Sequence, residues 1–186
     1  HHPLNLEVIG PEAQRDNMQS AAYRVIWGFL RKCPASKVRF CIFDPKEGGG
    51  SVRMLSNFVN KMPDSYKKAV TQMSRTEELL SCLKELEGQT LDFIRDRPDY
   101  DDLLDYNAHN PRRTEAITLL MLYDFPLNAD ARCLELLSSV MQKGNKCGIY
   151  VILCRNTAVE VASSYDHVDE KLAELEKNCV QIECKE

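Results

Sequence analysis

Three apolar segments of the chain end in polar residues and are separated by stretches with helical spacing. With the polar residues that follow each, they are Val38–Phe43 with Asp44, Ile117–Tyr123 with Asp124, and Gly148–Cys154 with Arg155 and Asn156. Apolar runs of this length between helical segments predict strands that are buried on both faces of a parallel sheet. In open α/β sheets, ligands bind beyond the carboxyl ends of the strands. We therefore expect any functional site at that edge of the sheet.

The segments around these strands predict further strands and helices in alternation. Leu4–Ile9 is a short strand that ends at Gly10-Pro11, and helical spacing begins at Asp16-Asn17, residue types that favour the N-cap. Helices are also predicted over about Arg75–Ile94, over Asp101–Asn107 and over about Asp169–Lys177. A further helix is predicted from a cap at Asn128 or Asp130 to a glycine C-cap at Lys143-Gly144, and an edge strand is predicted over Cys179–Glu183. No strand is predicted between the Glu47–Gly50 loop and Arg75. The predicted fold is three-layer α/β, with a mostly parallel twisted sheet and flanking helices.

Composition and charge indicate one domain and exclude several classes of protein. The 186 residues are 44% hydrophobic and 28% charged, so we expect a single domain over residues 4–186, preceded by a tag remnant and start at residues 1–3. The net charge of −4 disfavours nucleic-acid binding through this module alone, and no apolar run has the roughly 18 residues of a membrane span. Cys41 and Cys154 lie in predicted buried strands, which favours reduced thiols and a cytoplasmic protein without direct membrane contact.

Metal sites and thiol nucleophiles are disfavoured by the pattern of the residues that could form them. An acidic cluster follows the long helix and consists of Asp96, Asp99, Asp101, Asp102 and Asp105. It lacks the glycine and the spacing of a calcium loop, which favours a solvated helix face. His109 and His167 lie in separate loops without patterned ligands, so no metal site is predicted. No histidine can be placed beside Cys154, which is therefore interpreted as a core residue.

The order of four segments resembles that of FtsK/SpoIIIE-type ATPases, in the FtsK/HerA group of P-loop NTPases. The matching segments are Val38–Lys46, Tyr106-Asn107, Leu119–Asp124 and Gly144–Asn156. They follow the family's order and approximate spacing over roughly residues 18–157. The resemblance implies a P-loop NTPase or RecA-like fold, with ATP and Mg²⁺ as the cofactors of the parent family and DNA or protein as the substrate that is moved.

Carried over by position, the resemblance places Asp124 at the Walker B aspartate, which helps to hold Mg²⁺. The next position usually has an acidic residue that polarises the attacking water, and here it is Phe125, which cannot accept a proton. Asn156 falls where the family has an amide that senses the γ-phosphate. By this resemblance, the chain has kept a sensor-like residue, Asn156, but has no catalytic base after Asp124. Asp124 is either a vestigial metal ligand or a cap for the loop that follows it.

The phosphate loop is the largest departure from the family. The motif GxxxxGK[ST] belongs at the turn from the first strand into the first helix, because its N–H groups, lysine and hydroxyl bind phosphate and Mg²⁺. The run here is Gly10–Ser20, and counting back from Asp44 puts the lysine position at Met18 or Gln19. The degenerate Walker A region consists of Asp16, Asn17, Met18, Gln19 and Ser20.

Carboxylates near this predicted helix start also oppose a nucleotide. A cap carboxylate from Asp16, with Glu12 nearby, would use the N–H groups and helix dipole that bind a phosphate, and it would repel the anion. Arg15 could replace the lysine, but a loop without glycines cannot wrap around the phosphates. We therefore expect no cofactor for this fragment.

The strand-end loop after the second predicted strand has two interpretations. Its candidate residues are Asp44, Lys46, Gly48, Gly49 and Gly50. With Ser51 and Arg53, the glycines form either an anion-binding nest or a flexible loop, and the loop has the greater weight. Asp44 and Lys46 either pair with each other or fix the turn.

Three classes of function remain open. The favoured one is a non-catalytic module excised from a larger protein that carries more than one such domain. This chain resembles the leading copy in such proteins, which has lost its phosphate loop but kept a run like Asp124-Phe125-Pro126. Its partners would be other domains or subunits of that FtsK-like protein, and both a monomer and an oligomer are open. The second class is an ATP-hydrolysing DNA or protein translocase domain. The third is an unrelated Rossmann-like protein, against which the missing GxGxxG argues.

Overall fold

The computed structural model describes residues 4–46, 59–159 and 168–184. The strands in these ranges are β1 Asn5–Gly10, β2 Val38–Phe43, β3 Val70–Met73, β4 Ile117–Phe125, β5 Ile149–Asn156 and β6 Cys179–Glu183. The helices with full bounds are α1 Arg15–Lys32, α2 Asp64–Lys67, α3 Thr76–Asp96, α4 Leu103–His109, α5 Ala131–Lys143 and α6 Val168–Lys177. Short 3₁₀ turns lie at Glu12–Gln14, Ala35–Lys37 and Gly144–Cys147.

The six strands form one sheet in the order β3-β2-β4-β5-β1-β6, and every neighbouring pair is parallel. The prediction of a three-layer α/β fold is confirmed, and β6 lies at an edge as predicted. β3 was not predicted. It has only four residues, and Thr71 and Gln72 in its middle are exposed, so it carries neither a continuous apolar run nor enough alternation to be recognised.

Two apolar cores lie on opposite faces of the sheet because side chains alternate along each strand. In β2, Phe40 and Ile42 pack on the face covered by α1, and Cys41 and Phe43 pack on the face covered by α3, α5 and α6. The long helix α3 buries a stripe at helical spacing: Leu79, Leu83 and Leu86. Each of these leucines contributes about 1.5–3 kcal/mol when it is buried, so packing rather than helix propensity holds α3 on the sheet.

One predicted helix start is wrong. α1 begins at Arg15 after Gln14, which makes no side-chain cap, and Asp16 is exposed in the first turn instead of capping it. α5 ends at Lys143 with Gly144 as its C-cap, as predicted, but the φ of Gly144 is −62° and the chain continues through a 3₁₀ turn to Gly148, whose φ is 74°. The cap of α5 was left open between two residues and is Asp130, which accepts a 2.8 Å hydrogen bond from the N–H of Cys133.

None of the helices in the described ranges has both the length and the apolar character that crossing a membrane requires.

Candidate functional site

The strand order brings the carboxyl ends of β2, β4, β5 and β1 side by side. Gly10 is in register with Asn156, and Phe43 is in register with Leu122. The residues that follow these strands therefore meet at one edge, where the sequence predicted a site. The structure brings together Asp44, Lys46, Asp124 and Asn156, and the predicted glycines Gly48, Gly49 and Gly50 lie outside the described residues.

Asp124 is held at this edge by an irregular end of β4. Its φ is 48°, a left-handed conformation that Asp tolerates better than most residues, and the pairing with β5 shifts register between Leu122 and Phe125. The ring of Phe125 is 2% exposed and packs in the core, while the Asp124 carbonyl accepts a 2.8 Å hydrogen bond from the N–H of Leu127. Asp124 therefore does not cap α5, whose cap is Asp130.

The guanidinium of Arg15 binds the carboxylate of Asp124. Arg15 Nε lies 2.9 Å from Oδ1 and 3.0 Å from Oδ2, and Nη2 also donates to Oδ2. The same Nη2 is 4.0 Å from Oδ1 of Asp44. Burial lowers the pKa of Arg15, but the hydrogen bonds and charge of Asp124 outweigh burial and raise it, so Arg15 remains charged. With side-chain exposures of 13% and 1%, Arg15 and Asp124 form a largely buried ion pair.

Lys46, Glu12 and Asn156 complete the contacts around this pair. Lys46 Nζ is 3.0 Å from Oε1 of Glu12 and 3.5 Å from Oδ1 of Asp124. The side-chain amide of Asn156 donates to Glu12 and, at 3.4 Å, to Asp124. The hydrogen bond from Lys46 is the largest influence on Glu12 and lowers its pKa. We call this group the edge network, which consists of Glu12, Arg15, Asp44, Lys46, Asp124 and Asn156.

Of the two interpretations of Asp44 and Lys46, the structure supports the one in which they fix the turn. The backbone N–H of Lys46 donates a 3.2 Å hydrogen bond to Oδ1 of Asp44, which fixes the turn after β2. The ammonium of Lys46 instead pairs with Glu12 and Asp124. The turn thus places one cation over the edge of the sheet, where it contacts carboxylates from two other elements.

The predicted Walker A residues do not contribute to the edge network. Asp16 and Asn17 are exposed on the first turn of α1, and Met18 and Gln19 are buried within the helix. The two polar side-chain atoms of Gln19 have no hydrogen-bond partner among the described residues. Arg15, which sequence reasoning considered only as a replacement for a phosphate-binding lysine, instead binds the Asp124 carboxylate through its guanidinium. The sequence signal that could have identified Arg15 as a site residue was its position at the turn from β1 into α1.

Two tyrosines lie in the core next to the edge network. The ring centroids of Tyr23, in α1, and Tyr123, directly before Asp124, are 6.1 Å apart. Burial raises the pKa of Tyr23 to about 12 and raises that of Tyr123 as well. Both phenols therefore stay protonated and neutral at physiological pH, and they bring no charge to the site.

The edge network holds three carboxylates and two cations, so its formal charge is −1. Within the ranges that the structure describes, no three His, Cys, Asp or Glu side chains are arranged to hold a metal ion. Each cation contacts at least one carboxylate, and Asn156 already donates to two. The arrangement can stabilise the ends of four strands against each other, and it offers no uncommitted cation to an incoming anion.

No protein-family description matches this sequence, and no curated protein matches it. Solved structures do match. The cytoplasmic domain of the type VII secretion ATPase EccC from Thermomonospora curvata is 15% identical with a TM-score of 0.65, over 97% of this chain and 20% of that one. The cytoplasmic domain of EssC is 15% identical with a TM-score of 0.66, over 98% and 33%. The conjugation coupling protein TcpA of pCW3 is 12% identical with a TM-score of 0.64, over 97% and 48%.

The chain therefore spans between a fifth and a half of the length of these proteins. At such low identity the likeness concerns the fold. Together with the parallel six-stranded sheet, it shows that the chain has the fold that is present in these secretion and conjugation proteins, the ATPase EccC among them.

Proposed function

We propose that this domain is a non-catalytic FtsK/SpoIIIE-like module that acts in assembly or partner binding within a larger ATP-driven machine. ATP turnover would be left to other domains or subunits. The observation that carries the proposal is the edge network, because the groups that a nucleotide would need at this edge are already bound to one another.

Charge is the first part of the argument. Mg²⁺-ATP carries a net negative charge, and phosphate sites depend on lysine, N–H groups and a helix N terminus that are not neutralised by the protein. Here Glu12, Asp44 and Asp124 already neutralise Arg15 and Lys46. A charge pair about 4 Å apart is worth roughly 1–4 kcal/mol at effective dielectric constants between water and a protein surface. A phosphate would have to displace several such contacts and would still meet an excess negative charge.

The missing general base is the second part. Hydrolysis needs a group that accepts a proton from the attacking water or orients it. The residue after Asp124 is Phe125, whose ring packs in the core, and Asn156 is engaged with Glu12 and Asp124. Neither residue supplies a base, so the geometry supports a structural role for this edge.

The size of the chain relative to the similar proteins supports the assignment as one module among several. One of those solved structures is described as ATPases 2 and 3 of EssC from Geobacillus thermodenitrificans, and this chain covers 32% of it. We infer that the partners are other domains or subunits of a comparable cytoplasmic protein. The net charge of −4 favours a protein partner over nucleic acid.

The test is a titration of Mg²⁺-ATP against the purified domain, followed by thermal unfolding. A ligand present at one hundred times its Kd would stabilise the folded state by about 2.7 kcal/mol. We expect no shift of the unfolding temperature up to millimolar nucleotide. The same titration is carried out on two variants, Asp124→Asn in the edge network and Asp16→Asn on the exposed first turn of α1.

A Mg²⁺-dependent shift that is lost in Asp124→Asn but kept in Asp16→Asn would overturn the proposal. That result would support the alternative, an ATP-binding translocase domain in which the ion pairs of the edge network open to admit the nucleotide. A shift that does not require Mg²⁺ and is unchanged in both variants would place nucleotide elsewhere on the domain and would also contradict a nucleotide-free module.

A further inference from the structure

We propose that Cys41 and Cys82 form a reactive thiol pair that a hydroperoxide oxidises to an intramolecular disulfide, which would join β2 covalently to α3. The inference concerns a region away from the edge network, and it does not depend on the proposed function. It rests on the core face and the cavity that the two thiols share, and on the ion pair that joins the two elements beside them.

The fold brings the two cysteines together from elements that are far apart in sequence. Cys41 lies in the middle of β2 and its side chain packs on the face covered by α3. Cys82 lies on α3, is partly buried, and packs against the same core. Arg39, two residues before Cys41 on the same face of β2, pairs at 3.2 Å with Glu85, which lies about one turn after Cys82 on α3. The segments that carry the two cysteines are therefore packed against each other, and both cysteines line the same cavity.

A cavity gives small molecules access to this pair. Its volume is about 480 Å³, and both cysteines line it together with Thr71 and Gln72 of the edge strand β3. Hydrogen peroxide is little larger than water and is far smaller than this volume. The short edge strand leaves the cavity open at the side of the sheet, since no strand lies beyond β3 in the described part of the chain.

The charges around the pair favour a thiolate on Cys41. The interaction with the Cys82 thiol is the largest influence on the pKa of Cys41 and lowers it, together with the nearby Arg39 guanidinium and against the effect of burial. The same interaction and burial raise the pKa of Cys82. Glu85 opposes the effect of Arg39, with which it pairs at 3.2 Å. Cys41 is therefore the nucleophile and Cys82 the resolving thiol.

Other cysteines lack this combination. Burial raises the pKa of Cys133, Cys154 and Cys179, which disfavours their thiolates. The sulfur of Cys147 is within 3.3 Å of the Thr90 hydroxyl and its pKa is also raised. These four thiols behave as small core residues, as predicted for Cys154.

The reaction balances in two steps. The Cys41 thiolate attacks one oxygen of the hydroperoxide, the O–O bond breaks, and Cys41 becomes a sulfenic acid while the leaving alkoxide or hydroxide takes up a proton. The Cys82 thiol then attacks the Cys41 sulfur, loses its proton, and expels hydroxide, which leaves as water. The two cysteines lose two electrons in total, and the hydroperoxide is reduced to an alcohol or to water.

The test treats the purified domain with hydrogen peroxide, alkylates the remaining thiols and maps the peptides without reduction. We expect the intact mass, measured before alkylation, to fall by two hydrogen atoms, and one cross-linked peptide pair to contain Cys41 and Cys82. Cys82→Ser should stop the reaction at a Cys41 sulfenic acid, which dimedone traps. Cys33→Ser, at the end of α1, is the matched control and should leave the cross-link unchanged.

Alkylation of both Cys41 and Cys82 after peroxide treatment would overturn the proposal, and so would a cross-link between other cysteines. The peptide map of the unsubstituted protein decides the matter even where a serine variant folds poorly. Dimedone labelling at Cys82 in Cys41→Ser, with none at Cys41 in Cys82→Ser, would contradict the assigned order of the two thiols.

Discussion

Asp124 is the residue on which the edge network depends most, because its carboxylate contacts Arg15, Lys46 and Asn156. A carboxylate with 1% of its side chain exposed has lost most of its hydration, and these contacts replace it. The guanidinium of Arg15 depends on Asp124 in turn. When one member of a buried pair is removed, the other is left as an uncompensated charge, which costs more than the pair contributes.

We therefore predict that Asp124→Asn lowers the free energy of unfolding by about 2–4 kcal/mol, since Arg15 loses its principal counter-charge. Chemical denaturation at neutral pH measures the change. Asp16→Asn, which makes the same chemical change on the exposed first turn of α1, should alter stability by less than about 0.5 kcal/mol. Equal effects of the two substitutions would show that the ion pair with Arg15 adds nothing to stability.

Sequence reasoning predicted part of this site and not the rest. Asp44, Asp124 and Asn156 could be placed at one edge because each follows a recognisable apolar strand. The contact between Arg15 and Asp124 could not be predicted, since 109 residues separate them and no periodic pattern records which strand ends become neighbours. The predicted cap at Asp16 was wrong, because the 3₁₀ turn at Glu12–Gln14 leads directly into the helix and makes Gln14, two residues earlier, its N-cap.

At the scale of elements, α3 shows that a strong apolar stripe is enough to predict a helix and its approximate bounds. Its apolar stripe predicted a helix over about Arg75–Ile94, and the structure has Thr76–Asp96. Gly88 interrupts that pattern without ending the helix, because burial of the leucines on the other turns outweighs a local cost of about 1 kcal/mol. Elements with little periodicity were less predictable. The four-residue β3 was missed, and the 3₁₀ turn that leads from Gly144, the predicted C-cap of α5, to Gly148 was not predicted either.

Gly88 gives a prediction at this scale. Gly88→Ala should stabilise the protein by about 0.5–1 kcal/mol, because alanine restricts the unfolded chain and a Cβ at this position meets nothing within 4 Å. The same substitution at Gly148 should destabilise the protein, since its φ is 74° and the added Cβ would collide with Leu103. Thermal unfolding of both variants measures the two signs, and a destabilised Gly88→Ala would contradict the open space beside α3.

At the scale of the whole molecule, the sheet connects the beginning of the described chain to its end. β1 lies between β5 and β6, so strands from both ends of the chain share one sheet with the central β4. The alternation of apolar strands and helices predicted the three layers of the fold. It did not predict the order of the strands within the sheet. That order determines which residues reach the functional edge, and it leaves β3 and β6 as the two outer strands.

This order also predicts a gradient of stability across the sheet. Leu119–Leu122 of β4 are at most 1% exposed and have partners on both sides, so their amides should exchange with solvent only when the whole domain unfolds. Val180 and Ile182 of β6 are 51% and 45% exposed and have one neighbouring strand, β1, so β6 should open locally and exchange faster. Hydrogen exchange followed by mass spectrometry, with β6 compared with β4, measures the difference.

Exchange of β6 as slow as that of β4 would contradict the gradient, unless a second chain covers the edge. Hydrogen exchange measured at several protein concentrations distinguishes a covered edge from an intrinsically stable β6. Protection that falls as the protein is diluted would come from association of two copies along β6, because an open strand edge with exposed valine and isoleucine side chains can pair with another strand. Protection that does not change with concentration would mean that β6 is as stable as the centre of the sheet, and the exposure of its side chains would then be a poor guide to local opening.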